Sequence, residues 1–204
     1  MRVTGGVLRG RRILTLKGAK VRPTQDRVRL ALFSSLAPRM PACRFLDLFA
    51  GSGAVGLEAW SRGAAAVWWV EREARVVTVL RRNVETLCGT ANGERCRIIR
   101  GDAVGLLEKN ALGWHFDIVF ADPPYDRGGQ RDWIGRVLRA IGRTTLLEPG
   151  GLVVAEQAAD EPEAACPGWR NVGRKIYGGT RLSLWERCPG DGAASVAKSN
   201  GGAS

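Results

Sequence analysis

Residues 45–71 read "FLDLFAGSGAVGLEAWSRGAAAVWWVE". Two short apolar runs, 45–49 and 66–70, enclose a glycine-rich turn and a segment, 54–62, that suits a helix. Neither run shows the polar alternation of a strand with one wet face, so both belong inside a parallel sheet covered on both sides. Gly51, Gly53 and Gly56 form G-x-G-x-x-G between strand and helix. Glycine lets the chain turn tightly there and lets a ligand approach bare amides at a helix N-terminus. Glu71 ends the second strand twenty residues after Gly51, where an acid can accept hydrogen bonds from ribose hydroxyls.

The same alternation continues outward. Strand-like runs fall at 96–100, 116–121 and 151–156, with helix-like segments at 74–88, 103–110 and 130–142. Val76, Leu80, Val84 and Leu87 make an apolar stripe on one helix; Trp133, Ile134, Val137, Leu138 and Ile141 make another. Segments 169–177 and 181–187, joined across "GGT", read as a closing antiparallel hairpin. These signals specify an α/β domain built on a mostly parallel sheet. Upstream, "RPTQDRVRLALFSSL" reads as a helix with Thr24 as N-cap, with Val28, Ala31, Leu32 and Leu36 on its apolar face and Arg27 and Arg29 elsewhere on the cylinder. Residues 1–21 read as a small basic hairpin or arm, 22–188 as the main domain, and the Gly/Ala/Ser-rich residues 189–204 as a disordered tail.

Composition narrows the function. The 204 residues carry a net charge of +11, and residues 1–40 hold ten Lys or Arg against one acid, Asp26. That concentration, biased to arginine, suits a phosphate-binding surface. Arg9, Arg11 and Arg12 are the first candidates, with Arg22 and Arg27 beside them. No apolar run reaches the roughly 18–20 residues of a membrane span, and the N-terminus has no signal-peptide core. Five scattered cysteines without C-x-x-C, and a single histidine, His115, argue against a zinc site or a histidine triad and for reduced thiols in a cytoplasm.

The remaining chemistry sits at strand ends. Asp47 lies inside the first strand and Asp102 follows the third, so together with Glu71 three carboxylates reach one sheet edge. The glycine loop alone would serve a dinucleotide or S-adenosylmethionine. Asp47 can face the cationic amino-acid end of the latter, and Asp102 can accept from an adenine amino group. The fourth strand delivers "ADPPYD" to that edge. Asp-Pro-Pro terminates a strand well, but the reading that employs every residue concerns exocyclic base amines. Such amines are poor nucleophiles because the nitrogen lone pair is delocalised into the ring. The Asp122 carboxylate and the Pro123 carbonyl can each accept an N–H, with Pro123 and Pro124 holding those acceptors rigid. Tyr125 can stack on the base, worth about 1–3 kcal/mol. The base must be unpaired or flipped out.

"DLFAGSG" followed by "DPPY" resembles class I S-adenosylmethionine-dependent methyltransferases that modify exocyclic amines. More narrowly, "RPTQDRVRLALF", "LDLFAGSGAVGLEAWSRGA", "FADPPY" and "YGGTRL" resemble the RsmD family of bacterial 16S rRNA (guanine-N2)-methyltransferases, over about Arg2 to Arg187. The resemblance implies a Rossmann-like fold with a seven-stranded sheet. It implies S-adenosylmethionine held by Asp47, Phe49, Ala50, Gly51, Gly53, Glu71, Asp102 and Ala103, with Thr24 near its methionine end. Asp122 to Tyr125 would grip a guanine of 16S rRNA or the small ribosomal subunit. A monomer with no membrane partner is expected. Leu30 stands where the family commonly has Glu. Rival readings are an adenine-N6 methyltransferase, a nicotinamide-dependent oxidoreductase that leaves "DPPY" unemployed, and a non-enzymatic rRNA-binding assembly factor.

Overall fold

The computed structural model describes residues 1–16, 23–124 and 131–189. Its elements run α1 (Pro23–Leu36), β1 (Arg44–Leu48), α2 (Ala54–Ser61), β2 (Ala66–Glu71), α3 (Ala74–Cys88), β3 (Cys96–Arg100), α4 (Ala103–Glu108), β4 (Phe116–Ala121), α5 (Trp133–Gly142), β5 (Leu147–Ala158), β6 (Trp169–Tyr177) and β7 (Thr180–Arg187). The seven strands form one sheet in the order β3-β2-β1-β4-β5-β7-β6. β1 to β5 are parallel, and the β6–β7 hairpin closes the edge antiparallel.

Consecutive tryptophans show why the strands are apolar throughout. Trp68 and Trp69 on β2 project to opposite faces, and each is buried in a different core. Trp69 joins Phe33, Phe45, Leu57, Leu80 and Phe120 on the side of α1, α2 and α3. Trp68 joins Leu46, Val104, Phe116, Val119 and Leu138 on the side of α4 and α5. With period-two side chains and helices on both faces, every strand position in the centre is dry. Each such large side chain contributes about 1.5–3 kcal/mol by leaving water.

Several sequence expectations shift. α1 begins at Pro23, so Thr24 is its second residue rather than its N-cap; proline favours the first helical position, where its missing N–H is no loss. α1 also buries Arg29, at 4% exposure, beside Val28, Leu32, Phe33 and Leu36. On α3 the buried stripe is Val77, Leu80, Val84 and Leu87, while Val76 turns to a cavity. On α5 Trp133 stays partly exposed. β5 is longer than expected because Gln157 and Ala158 keep pairing with β7.

The N-terminal residues form a small antiparallel loop-back, docked rather than free. Arg2 bridges Arg12, the Val3 amide donates to the Arg11 carbonyl (3.0 Å) and the Ile13 amide to the Met1 carbonyl (3.0 Å). Val3 and Ile13 are buried in the α1–α3 core. Glu58 on α2, fully buried, accepts from the Thr4 amide (2.8 Å) and hydroxyl (2.7 Å), from Arg62 (2.8 Å) and from Arg29 (3.3 Å). Arg29 also donates to the Arg2 carbonyl (2.6 Å). A buried carboxylate is tolerable only with such donors.

Candidate active site

β1 and β4 are neighbours from which the chain winds outward in opposite directions. This reversal leaves a crevice beyond the carboxyl ends of the strands. Register decides what lines it. Asp47 lies opposite Phe120, and Ala121 lies opposite Ala155. One step past that second row, Asp122 and Glu156 stand side by side, on the face that carries Asp47 and Phe120. Asp47, Phe49, Phe120, Asp122 and Glu156 line one cavity of about 330 Å3. Ala50, Gly51 and Ser52 line it as well, with Val76 and Val79 of α3 and with Met1, Thr15, Leu16 and Arg29.

The loop after β1 is held by backbone bonds and by the expected acids. The Ala50 amide donates to the Val70 carbonyl (2.9 Å) and the Gly53 amide to the Ala50 carbonyl (2.8 Å). Glu71 accepts from the Gly51 amide (3.0 Å) and the Glu73 amide (2.8 Å). Asp47, 1% exposed, accepts from the Gly56 amide at 2.9 Å. Phe49 has φ 62°, a left-handed conformation that costs a non-glycine residue about 1–2 kcal/mol. Its ring meets Trp133 edge-on, with centroids 6.0 Å apart. Two glycines serve two purposes. At Gly51, φ is 55° and a Cβ would meet nothing within 4 Å, so bare backbone faces open space. At Gly56 a Cβ would overlap the Trp69 indole and Val67, so glycine lets α2 press against β2.

Among the described residues that line the cavity, Asp47, Asp122 and Glu156 bring carboxyls and Arg29 a guanidinium. Burial pushes Asp47 up to about 7, helped by Glu71 and opposed by the Gly56 amide. Burial likewise lifts Glu156 to about 7, opposed by Arg29. Asp122 is raised well above the ordinary carboxylate range by burial, then by Glu156, Asp47 and Glu161. Acids so arranged attract cationic or proton-donating ligands.

Other expected residues lie at varying distance from this centre. Pro123 is buried and Pro124 exposed. Asp102 is exposed and caps α4, accepting from the Gly105 amide at 2.8 Å, with Ala103 buried behind it. Neither Glu71 nor Asp102 lines the cavity. Arg9, Arg11, Arg12 and Arg27 are exposed. Tyr125 and Arg22 lie outside the described residues. Among the described residues, no group of three or more potential ligands is placed to hold a metal, and no helix is long and apolar enough to cross a membrane.

Three residues not singled out from sequence complete the centre. Glu156 and Arg29 reach it from β5 and α1. Asn83 on α3 accepts from the Leu14 amide and donates to the Leu14 and Ser52 carbonyls, all at 2.9 Å. It ties the N-terminal segment to the glycine loop. The only local signal for Glu156 was an acid at the end of the strand next to "DPPY".

The family described as "Conserved hypothetical protein 95" matches residues 1–186. Ribosomal RNA small subunit methyltransferase D of Escherichia coli (strain K12) is 41% identical over 188 residues, 92% of this chain and 90% of that protein. Its namesake from Haemophilus influenzae is 31% identical over 186 residues, 91% and 93% of the two chains. The chain belongs to the RsmD family. The solved structure titled "Putative methyltransferase yhhF from Escherichia coli" superposes with a TM-score of 0.77 at 33% identity, covering 92% of this chain and 97% of that one. SMU.776, a putative methyltransferase complexed with SAH, shares the fold at a TM-score of 0.59 and 14% identity, over 81% of this chain and 50% of that one. The RsmD chain is thus a methyltransferase with the Rossmann-like class I fold, its sheet mostly parallel and seven-stranded, as expected.

Proposed function

We propose that the protein transfers the methyl group of S-adenosylmethionine to the exocyclic N2 amino group of a guanine in 16S rRNA of the small ribosomal subunit. The observation that carries this reading is that Asp122, which the Pro123–Pro124 pair follows, lines the same cavity as Gly51 and Ser52 of the glycine loop. S-adenosylmethionine, when bound, supplies an electrophilic methyl group on a cationic sulfur. The residues present fit it: Gly51 leaves its backbone bare, and the buried Asp47 carboxyl has a single amide donor and no cation bonded to it. Glu71 spends one contact per oxygen on amides, and a carboxylate oxygen accepts two, so it retains capacity for ribose hydroxyls. Asp102 likewise keeps one oxygen for an adenine amino group beyond its cap.

Asp122 and the Pro123 carbonyl accept the two N–H bonds of the target amine. This localises the lone pair on nitrogen and offsets positive charge as the new bond forms. Positioning supplies most of the acceleration. Tyr125, next in the chain, provides the stacking face. The basic N-terminal residues Arg9, Arg11 and Arg12 bind RNA phosphates, and Arg22 and Arg27 extend that surface. The test is mass mapping of nucleosides in rRNA incubated with the protein and isotopically labelled S-adenosylmethionine. N2-methylguanosine at one site is the expected result. N6-methyladenosine, or no label above background with intact cofactor binding, overturns it.

A further inference from the structure

Glu156 lines the cavity beside Asp122, and among the described residues nothing hydrogen-bonds its carboxylate. Arg29 faces the same space, yet its donors go to the Arg2 carbonyl, Met1, Asp26 and Glu58. A largely desolvated carboxylate without a donor is costly to a fold, and a site that leaves one is built for a ligand that brings the donor. Asp122 and Glu156 follow paired positions on adjacent parallel strands, which run about 4.8 Å apart. Both side chains therefore leave neighbouring strands on the same face, and the longer Glu156 side chain can close on the group next to the one that Asp122 holds. Resting on the function proposed above, the chemistry of the bases then decides which edge fits. Adenine, cytosine and guanine each carry an exocyclic amine. In adenine and cytosine the ring nitrogen beside that amine is an acceptor. Guanine alone has a ring donor beside its amine, N1–H, with the acceptor N3 on the amine's other side.

We propose that Glu156 is the residue that selects guanine, its carboxylate accepting N1–H while Asp122 holds the adjacent N2 amine. An adenine or cytosine offered to the same pair would place a lone pair against Glu156 and leave the carboxylate unsatisfied. A site built to accept a particular N–H rejects analogues that lack it far more strongly than a greasy pocket rejects a change of size. Arg29 contributes by electrostatics alone, favouring the charged form of Glu156 that can accept.

The experiment uses 2-aminopurine riboside, which keeps the 2-amino group but has an acceptor at N1. It is placed in rRNA at the position that mass mapping identifies as methylated. The unaltered protein should methylate the guanosine RNA with a kcat/KM at least about 100-fold above that for the 2-aminopurine RNA. In Glu156→Gln the side-chain amide can donate to N1 of 2-aminopurine, so the ratio should narrow to about 10-fold or less, with S-adenosylmethionine binding unchanged. A ratio near one for the unaltered protein, or an identical ratio in both proteins, overturns the assignment. The first of these needs no variant, so a poorly folding Glu156→Gln cannot rescue it. Failure of the unaltered protein to methylate guanosine RNA at all would instead strike the function on which this rests.

Discussion

Asp122, proposed above to grip the target amine, stands where a carboxyl is unfavourable for folding. It lines a cavity beside Asp47 and Glu156, so its charge is poorly solvated until a ligand arrives. Asp122→Ala should lower kcat by about 10^2–10^4-fold while shifting the S-adenosylmethionine Kd only a few-fold; equal losses in both, by single-turnover and equilibrium titration, would contradict an amine-gripping role. The same crowding predicts a pH dependence of stability. In the unfolded chain Asp47 and Glu156 return to ordinary values of 3.8 and 4.5, whereas in the fold both sit at about 7. Between those limits the native state holds protons that the unfolded state has released, so stability falls as pH rises from about 4 to 7 and then levels. Asp122 adds to this slope with the same sign; Asp117, lowered by Arg44, acts only below that window. Urea midpoints of the protein without cofactor should therefore drop between pH 5 and 7, and Glu156→Gln should flatten the drop. A rising midpoint would show that these carboxyls are not desolvated. Asp47 and Asp122 were legible in sequence because each sits in a local motif. Glu156 and Arg29 were not, because only strand register and helix docking bring them to the cavity.

At the level of elements, the glycine loop and its supports act as one unit. α2 lies close against β2 because Gly56 has no Cβ to meet Trp69, and that closeness lets Asp47 reach the Gly56 amide. Gly56→Ala should cost about 1–3 kcal/mol of unfolding free energy through overpacking. It should also weaken cofactor binding, because the Asp47 hydrogen bond must lengthen; isothermal titration beside chemical denaturation checks both. β4 spans its apolar run, since a strand buried along nearly its whole length leaves an unbroken signal; β3 keeps its expected bounds although, at the sheet edge, none of its residues is buried. β5 was harder to bound. It runs through "EPGG", which reads as a turn, because the chain there continues alongside β4 after a register shift between Phe116 and Ile118. Helix starts were less legible. The segment expected over 130–142 starts as α5 only at Trp133, where Asp132 caps it by accepting from the Gly135 amide at 3.2 Å. At α1 the first-position preference of Pro23 displaces Thr24 from that role.

For the molecule as a whole, the N-terminal residues join two tasks that a basic arm on its own would keep apart. Val3 and Ile13 are core residues, and Glu58, Ser61 and Asn83 fix the segment by hydrogen bonds to α2 and α3. Thr15 and Leu16 then wall the cavity. Sequence alone showed the charge of this region but not its docking, because the partners Glu58 and Asn83 lie far along the chain, on amphipathic helices where polar residues usually face water. The consequence is a basic surface tied by packing and hydrogen bonds to the wall of the candidate active site. Arg9, Arg11 and Arg12 project from it without an acidic partner among the described residues, and Val7 stands 87% exposed at its tip. The contribution to RNA binding proposed for them is electrostatic, through release of counterions from phosphates, so it is read from salt dependence rather than from affinity at one condition. Replacing all three with Gln should leave folding and cofactor binding intact, since none bonds the core through its side chain. It should reduce the slope of log K against log salt for rRNA by roughly 2, at about 0.7 for each single-stranded phosphate that is no longer neutralised. An unchanged slope would move the RNA footprint off the N-terminal surface, and with it the idea that docking of this segment aligns substrate RNA with Asp122.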